Sequence, residues 1–254
     1  MKNLQTLLFF VLIHSLVFAQ NLIAHYPFDG NALDKSGNNH HGNMFGVVPT
    51  EDRFGNPEGA FLFDGTDDYV SVNDRPDLRL ADTDYTISLW LKIEKYTNPV
   101  THALLSKRIF ASNSGYLISV AGYDHPLNYS EGSFIMINSQ NVDPTLQSEA
   151  TNTLSEWTNL IITYCLDTET ITFYVNGEED ISGFLPPLNP TVTADLWIGK
   201  DPLNNSNKLL FEGSMDDVMI FNKKLTQKEI DQIANPTFEF SLGPDIKLCE
   251  AESF

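Results

Sequence analysis

The stretch YPFDGNALDKSGNNHHG, Tyr26 to Gly42, gathers the side chains most able to do chemistry in this chain. It holds two aspartates, three asparagines, a serine and two histidines among three glycines. Such residues have two uses. They build tight solvated loops, because Asn, Asp, Ser and Gly satisfy their own backbone and tolerate positive φ. They also wrap hard cations, because calcium takes six to eight oxygens from carboxylates, amides and carbonyls. Asp29, Asn31 and Asp34 are the candidate calcium ligands. Their spacing is not that of a helix–loop–helix calcium site: counting from Asp29, position six is Asp34 instead of Gly and position twelve is His40 instead of Glu. The sequence leaves both uses open. His40 and His41 read as exposed loop histidines, since neighbours in an extended segment point apart and no second His or Cys pair lies at zinc-ligand spacing.

Catalytic patterns are scarce. No Gly-x-Ser-x-Gly elbow and no His-Glu-x-x-His helix occurs. The acidic run EEDIS from Glu178 follows an Asn-Gly turn and reads as a solvated hairpin tip. Aromatic residues offer a different chemistry. Trp90, Tyr116, Trp157, Tyr174 and Trp197 fall on strands or strand edges. An exposed flat ring beside polar donors can stack a sugar; the same rings can equally pack a sheet face. Trp90, Tyr116 and Tyr174 are the candidate ligand-binding residues.

These side chains need a scaffold, and the text around them is one of short strands between turns. YTISLWLKI alternates, with Ile87, Leu89, Leu91 and Ile93 on one face and Ser88, Trp90 and Lys92 on the other. TITFYVNG places Ile171, Phe173 and Val175 together, then turns at Asn-Gly. Its expected partner is WTNLIITYCLD, in which Leu160, Ile162 and Tyr164 alternate with Ile161 and Thr163. GAFLFDG, DYVSVN, GYLISV, SFIMIN, LWIG and MDDVMIF are further strands. No long helical pattern separates them, so the pairing is antiparallel. One short helix is expected from Thr226 to Asn235. Thr226 and Glu229 form a capping box, Leu225 and Ile230 a hydrophobic staple, and Pro236 a stop.

The whole chain is acidic, with 34 acidic against 15 basic residues and a formal net charge of −19. A polyanion repels phosphate backbones, which excludes nucleic acid as the expected partner. Residues 1–19 read as a secretory signal peptide: Lys2, then an apolar run from Leu7 to Phe18, then Ala19 at the cleavage point. That run is too short to span a membrane, and no later segment is apolar enough. Residues 20–235 form one domain. Residues 236–254 are a linker or the truncated start of a further module. Cys165 and Cys249 are far apart, and a domain of this length needs no disulfide between them.

Six phrases in order resemble the laminin-G-like jelly roll of the concanavalin A-like lectin/glucanase superfamily: AHYPFDGNALDKSGNNHHG, GAFLFDGTDDYVSV, YTISLWLKI, WTNLIITYCLDTETITFYVNG, LWIGK and FEGSMDDVMIFNKKLTQKEI. The resemblance implies an all-β, two-sheet antiparallel sandwich with a short C-terminal helix and with the first and last strands adjacent. It also implies a structural calcium between such elements, with Asp216 closing the site of Asp29, Asn31 and Asp34. LGPDIKLCEAES resembles the opening of the immunoglobulin-like modules that follow such domains in bacterial surface proteins. The Glu-x-Asp-x-Glu pair of the superfamily's glucanases is absent here. The expectation is a secreted or cell-surface, non-catalytic binding or adhesion module whose partner is carbohydrate or a surface protein. A glycoside hydrolase and a structural spacer are the alternatives on the same fold.

Overall fold

The protein is described by a computed structural model covering residues 21–97, 99–109, 114–138, 145–202 and 209–236. The expected signal peptide, the segment after Pro236 and Cys249 lie outside the described residues. The described residues form strands β1 (Leu22–Tyr26), β2 (Asn43–Phe45), β3 (Val48–Thr50), β4 (Ala60–Asp64), β5 (Tyr69–Val72), β6 (Tyr85–Lys92), β7 (Thr101–Ile109), β8 (Ser114–Ala121), β9 (Ser133–Asn138), β10 (Thr145–Thr151), β11 (Thr158–Cys165), β12 (Thr170–Val175), β13 (Glu178–Phe184), β14 (Leu196–Ile198), β15 (Lys200–Asp201), β16 (Leu209–Leu210) and β17 (Glu212–Phe221). The first sheet runs β13-β12-β11-β6-β17-β4-β3, with β1 also on β17. The second runs β10-β9-β8-β7-β14-β5-β2. Both are antiparallel, and they pack as a sandwich.

The expected faces are those observed. Ile87, Leu89 and Leu91 lie in the inter-sheet core with Leu160, Ile162, Ile171 and Phe173 from the first sheet. Val70, Val72, Ile118, Val120, Leu196 and Ile198 meet them from the second. The first and last strands are adjacent: Tyr26 pairs with Val218 and Leu22 with Phe221. Asn176 and Gly177, at φ 53° and 88°, make the two-residue turn from β12 to β13. The EEDIS run therefore opens an edge strand, β13, in place of the expected hairpin tip. β7 was not apparent from the sequence because its alternation breaks. A bulge between Ala103 and Leu105 lets Leu104 and Leu105 both reach the core.

Helix α1 (Gln227–Ala234) closes the described chain. Its capping box is formed, and the Glu229 carboxylate accepts the Thr226 N–H at 2.9 Å. Leu225 and Ile230 bury against Ile161, Tyr174 and Phe221 on the outer face of the first sheet. Among the described residues no helix is long and apolar enough to cross a membrane.

Candidate functional site

The opening loop is held by its own hydrogen bonds. Asp34 is buried. Its carboxylate accepts the backbone N–H groups of His25 (3.0 Å), Ser36 (2.8 Å) and His40 (2.9 Å) and the Ser36 hydroxyl (2.8 Å). Burial opposes ionisation, but these donors outweigh it and hold the carboxyl below the usual range. The Asn31 Oδ1 accepts the Leu33 N–H, and its amide donates to the Asp29 carbonyl. Asp29 is exposed. These donors meet the Asp34 carboxylate and the Asn31 Oδ1, two of the four expected calcium ligands. His40 departs from the expected exposed histidine: it is buried, and its Nε2 lies 2.8 Å from Asp77.

Asp216, the fourth expected ligand, meets the guanidinium of Arg53. β17 bulges between Asp216 and Met219, and Asp217 sits at φ 46°. This extra residue turns two consecutive carboxylates to one side. Arg53 donates to both, through Nη1 to Asp216 and through Nη2 to Asp217 at 2.7 Å. Asp217 also faces His25 Nε2 at 3.0 Å. A buried and a half-buried carboxylate share one cation, so their affinities for protons diverge. Burial, then the charge of Asp217, pushes Asp216 up to about 8. Asp217, although desolvated, is held down by His25 and Arg53.

The expected ligand-binding aromatics divide. Trp90 faces outward on the first sheet, with the Arg53 guanidinium 4.7 Å from its ring centroid. Tyr116 and Tyr174 are corrections. Tyr116 is a core residue between the sheets, and Tyr174 lies under helix α1. Neither presents a ring to solvent, because each packs a sheet face.

A ring platform forms elsewhere, on the outer side of the second sheet. Val70, Val72, Leu196 and Ile198 point inward, so Tyr69 and Trp197 point outward. β2 adds Phe45 directly opposite Tyr69. Phe45 and Tyr69 stack at 4.4 Å between centroids, and Tyr69 meets Trp197 at 5.1 Å. Phe45 remains 42% exposed, so the strip is open at its edge. The Lys200 ammonium lies 3.7 Å from the Tyr69 centroid and 4.9 Å from that of Trp197. A cavity of about 360 Å³ opens here between Phe45, Gly46, Asp67, Tyr69 and Lys200. Two glycines are required by this geometry. A Cβ on Gly199 (φ 82°) would fall 2.5 Å from the Phe63 ring, and one on Gly46 (φ 74°) would fall 1.8 Å from Asp68 Oδ1.

The platform has an acidic rim. Among the described residues, Asp64, Asp67 and Asp68 are the acids whose oxygens converge within 4.8 Å of one another, a spacing that could hold a hard cation. Asp64 and Asp68 already accept backbone N–H groups from Thr66 and Asp64. Trp197 was singled out in the sequence as an aromatic; Phe45, Tyr69 and Lys200 were not. DYVSV and LWIGK carried the signal, since two outward rings fall on strands whose apolar partners must face in.

The chain matches the model of a family described as the concanavalin A-like lectin/glucanases superfamily over residues 64–231. Comparison with curated protein sequences gave no match. Among solved structures, domain 4 of AbnA, an extracellular arabinanase of Geobacillus stearothermophilus in complex with arabinotriose, superposes with TM-score 0.65 at 20% identity, over 84% of this chain and 98% of that one. The binding domain of Paraclostridial Mosquitocidal Protein 1 gives 0.65 at 16% identity over 86% of this chain. The binding domain of botulinum neurotoxin serotype D gives 0.62 at 17% over 86%. The chain spans about half of each of these two toxin domains. At such identities the superpositions establish the fold.

Proposed function

Since the chain belongs to the concanavalin A-like lectin/glucanases superfamily, we propose that it is a secreted, non-catalytic module that binds carbohydrate on the Phe45–Tyr69–Trp197 platform. The observation that carries this reading is the contiguous, partly open ring strip with an ammonium on its surface and a carboxylate at its rim. A sugar ring has one apolar face of C–H groups and a belt of hydroxyls. The first stacks on aromatic rings; the second needs donors and acceptors at the edge. Phe45 and Trp197 supply the surface, with Tyr69 packed between Phe45 and the Lys200 ammonium; Asp67 accepts hydroxyl protons, and Lys200 donates. Domain 4 of the arabinanase, of the same fold, is described in complex with arabinotriose. Binding is favoured over hydrolysis because the adjacent acids Asp216 and Asp217 are already held by Arg53. Secretion rests on residues 1–19 and remains part of the proposal. A glycan array probed with the domain spanning residues 20–236 tests the reading. Retention of at least one glycan, lost in Trp197→Ala, supports it; retention unchanged by Trp197→Ala and by Tyr69→Ala refutes it.

A further inference from the structure

The rim of the ring platform holds more negative charge than a neutral sugar needs. Asp64, Asp67 and Asp68 each bring one carboxylate oxygen within 4.8 Å of the others. Asp67 lines the cavity beside Phe45 and Tyr69. Asp68 is only 4% exposed. Its Oδ2 accepts the Asp64 N–H at 2.9 Å, and among the described residues no donor meets its Oδ1. That oxygen lies against Gly46, where an added Cβ would fall 1.8 Å from it, and Gly46 lines the same cavity. A buried acceptor without a donor is costly. Burial pushes the Asp68 carboxyl up, the Asp64 N–H opposes that rise, and the charges of Asp64 and Asp67 add to it. The Lys200 ammonium is engaged by rings, over Tyr69 and Trp197.

We propose that the platform selects an amino sugar, stacking its ring on Phe45 and Trp197 and holding its ammonium on Asp64, Asp67 and Asp68. This rests on the platform reading and names its ligand class. Three oxygens no more than 4.8 Å apart leave room for one nitrogen about 2.8 Å from each, the length of a charge-assisted N–H···O bond. An ammonium carries three N–H donors, one for each acid. A uronate or a sulfated sugar would instead bring a further negative charge to this rim. Calcium is served less well, because it takes six to eight oxygens. Asp64 Oδ1 already accepts the Thr66 and Asp67 N–H groups, and Asp68 Oδ2 that of Asp64. A simple amine lacks the C–H face that the rings pack.

Isothermal titration of the domain spanning residues 20–236 at weakly acidic pH, where a sugar amine is charged, compares three trisaccharides: that of glucosamine, its N-acetylated form, and that of galacturonic acid. Ethylammonium and calcium serve as cations without a sugar ring. The glucosamine trisaccharide should bind about tenfold tighter than the N-acetylated one, the worth of one charge-assisted hydrogen bond, and the galacturonate should bind weakest. Asp67→Asn keeps an acceptor oxygen but removes a charge, so it should erase the difference between the first two. Asp67 is exposed, so its replacement keeps the fold. Phe54→Ser, in the groove beside Arg53 on the first sheet, should change nothing. Equal affinity for the charged and acetylated sugars, or tighter binding of galacturonate, overturns the selectivity; the platform stands if Trp197→Ala still abolishes that binding. Glucosamine binding indifferent to Trp197→Ala overturns the platform and this inference together. Calcium or ethylammonium binding as tightly as the glucosamine trisaccharide and displacing it shows a bare cation site and overturns the inference. No binding of that trisaccharide, with another glycan retained on the array, overturns the inference alone.

Discussion

At the scale of single residues, the Asp216–Arg53–Asp217 cluster decides most. A guanidinium bound to two carboxylates cannot be removed cheaply, since its loss leaves the buried Asp216 without its cation. Arg53→Leu should cost about 3–5 kcal/mol in chemical denaturation; a loss below about 1 kcal/mol would show that the pair is not buried as described. Asp216 also gives a pH signature. Its folded value, about 8, lies above its ordinary 3.8. The native state therefore binds this proton more tightly than the unfolded chain. That stability is fully present below about 4 and is lost as pH rises through about 8. Asp217 and Asp34 shift the other way, so their contribution is lost as pH falls. Stability should decline from weakly acidic to weakly alkaline pH, and Asp216→Asn should flatten that decline. An identical pH slope in the variant would contradict the assignment. Little of this was legible. The sequence brought Asp216 toward the opening loop and expected calcium there. It gave no sign of Arg53, which meets Asp216 across 163 positions. A lone basic residue after Glu51 and Asp52 carries no local pattern that names a distant partner.

At the scale of elements, regular alternation was readable and interrupted alternation was not. β6, β11 and β12 obeyed period two and took the faces expected of them. β7 was hidden by its bulge, and the β17 bulge that aligns the two aspartates was equally silent in the text. Helix α1 was legible because its signals are local: cap, reciprocal Glu, staple and stop lie within about ten residues. Its energetics follow. Thr226→Ala should cost about 1 kcal/mol by loss of the capping box. Ile230→Ala should cost more, about 2–4 kcal/mol, because it opens a cavity between the helix and Tyr174. Urea melts of both variants check the order; equal costs would mean that the helix is not seated on the sheet.

At the scale of the whole molecule, the two sheets carry different surfaces. The first is covered by helix α1 and the Arg53 groove; the second bears the open ring platform. The fold was legible almost throughout, since two-sheet packing follows from strand patterns summed over many segments. The platform was legible only in part, because stacking of Phe45 on Tyr69 depends on β2, a three-residue strand too short to read. The proposed role of this platform is to bind sugar. Isothermal titration of the domain spanning residues 20–236 with the glycan it retains best on an array tests it most directly. Saturable binding is expected, weakened at least about tenfold by Trp197→Ala, with Phe54→Ser as an unaffected control. Binding of undiminished affinity in both Trp197→Ala and Tyr69→Ala, with each variant folded, would contradict it.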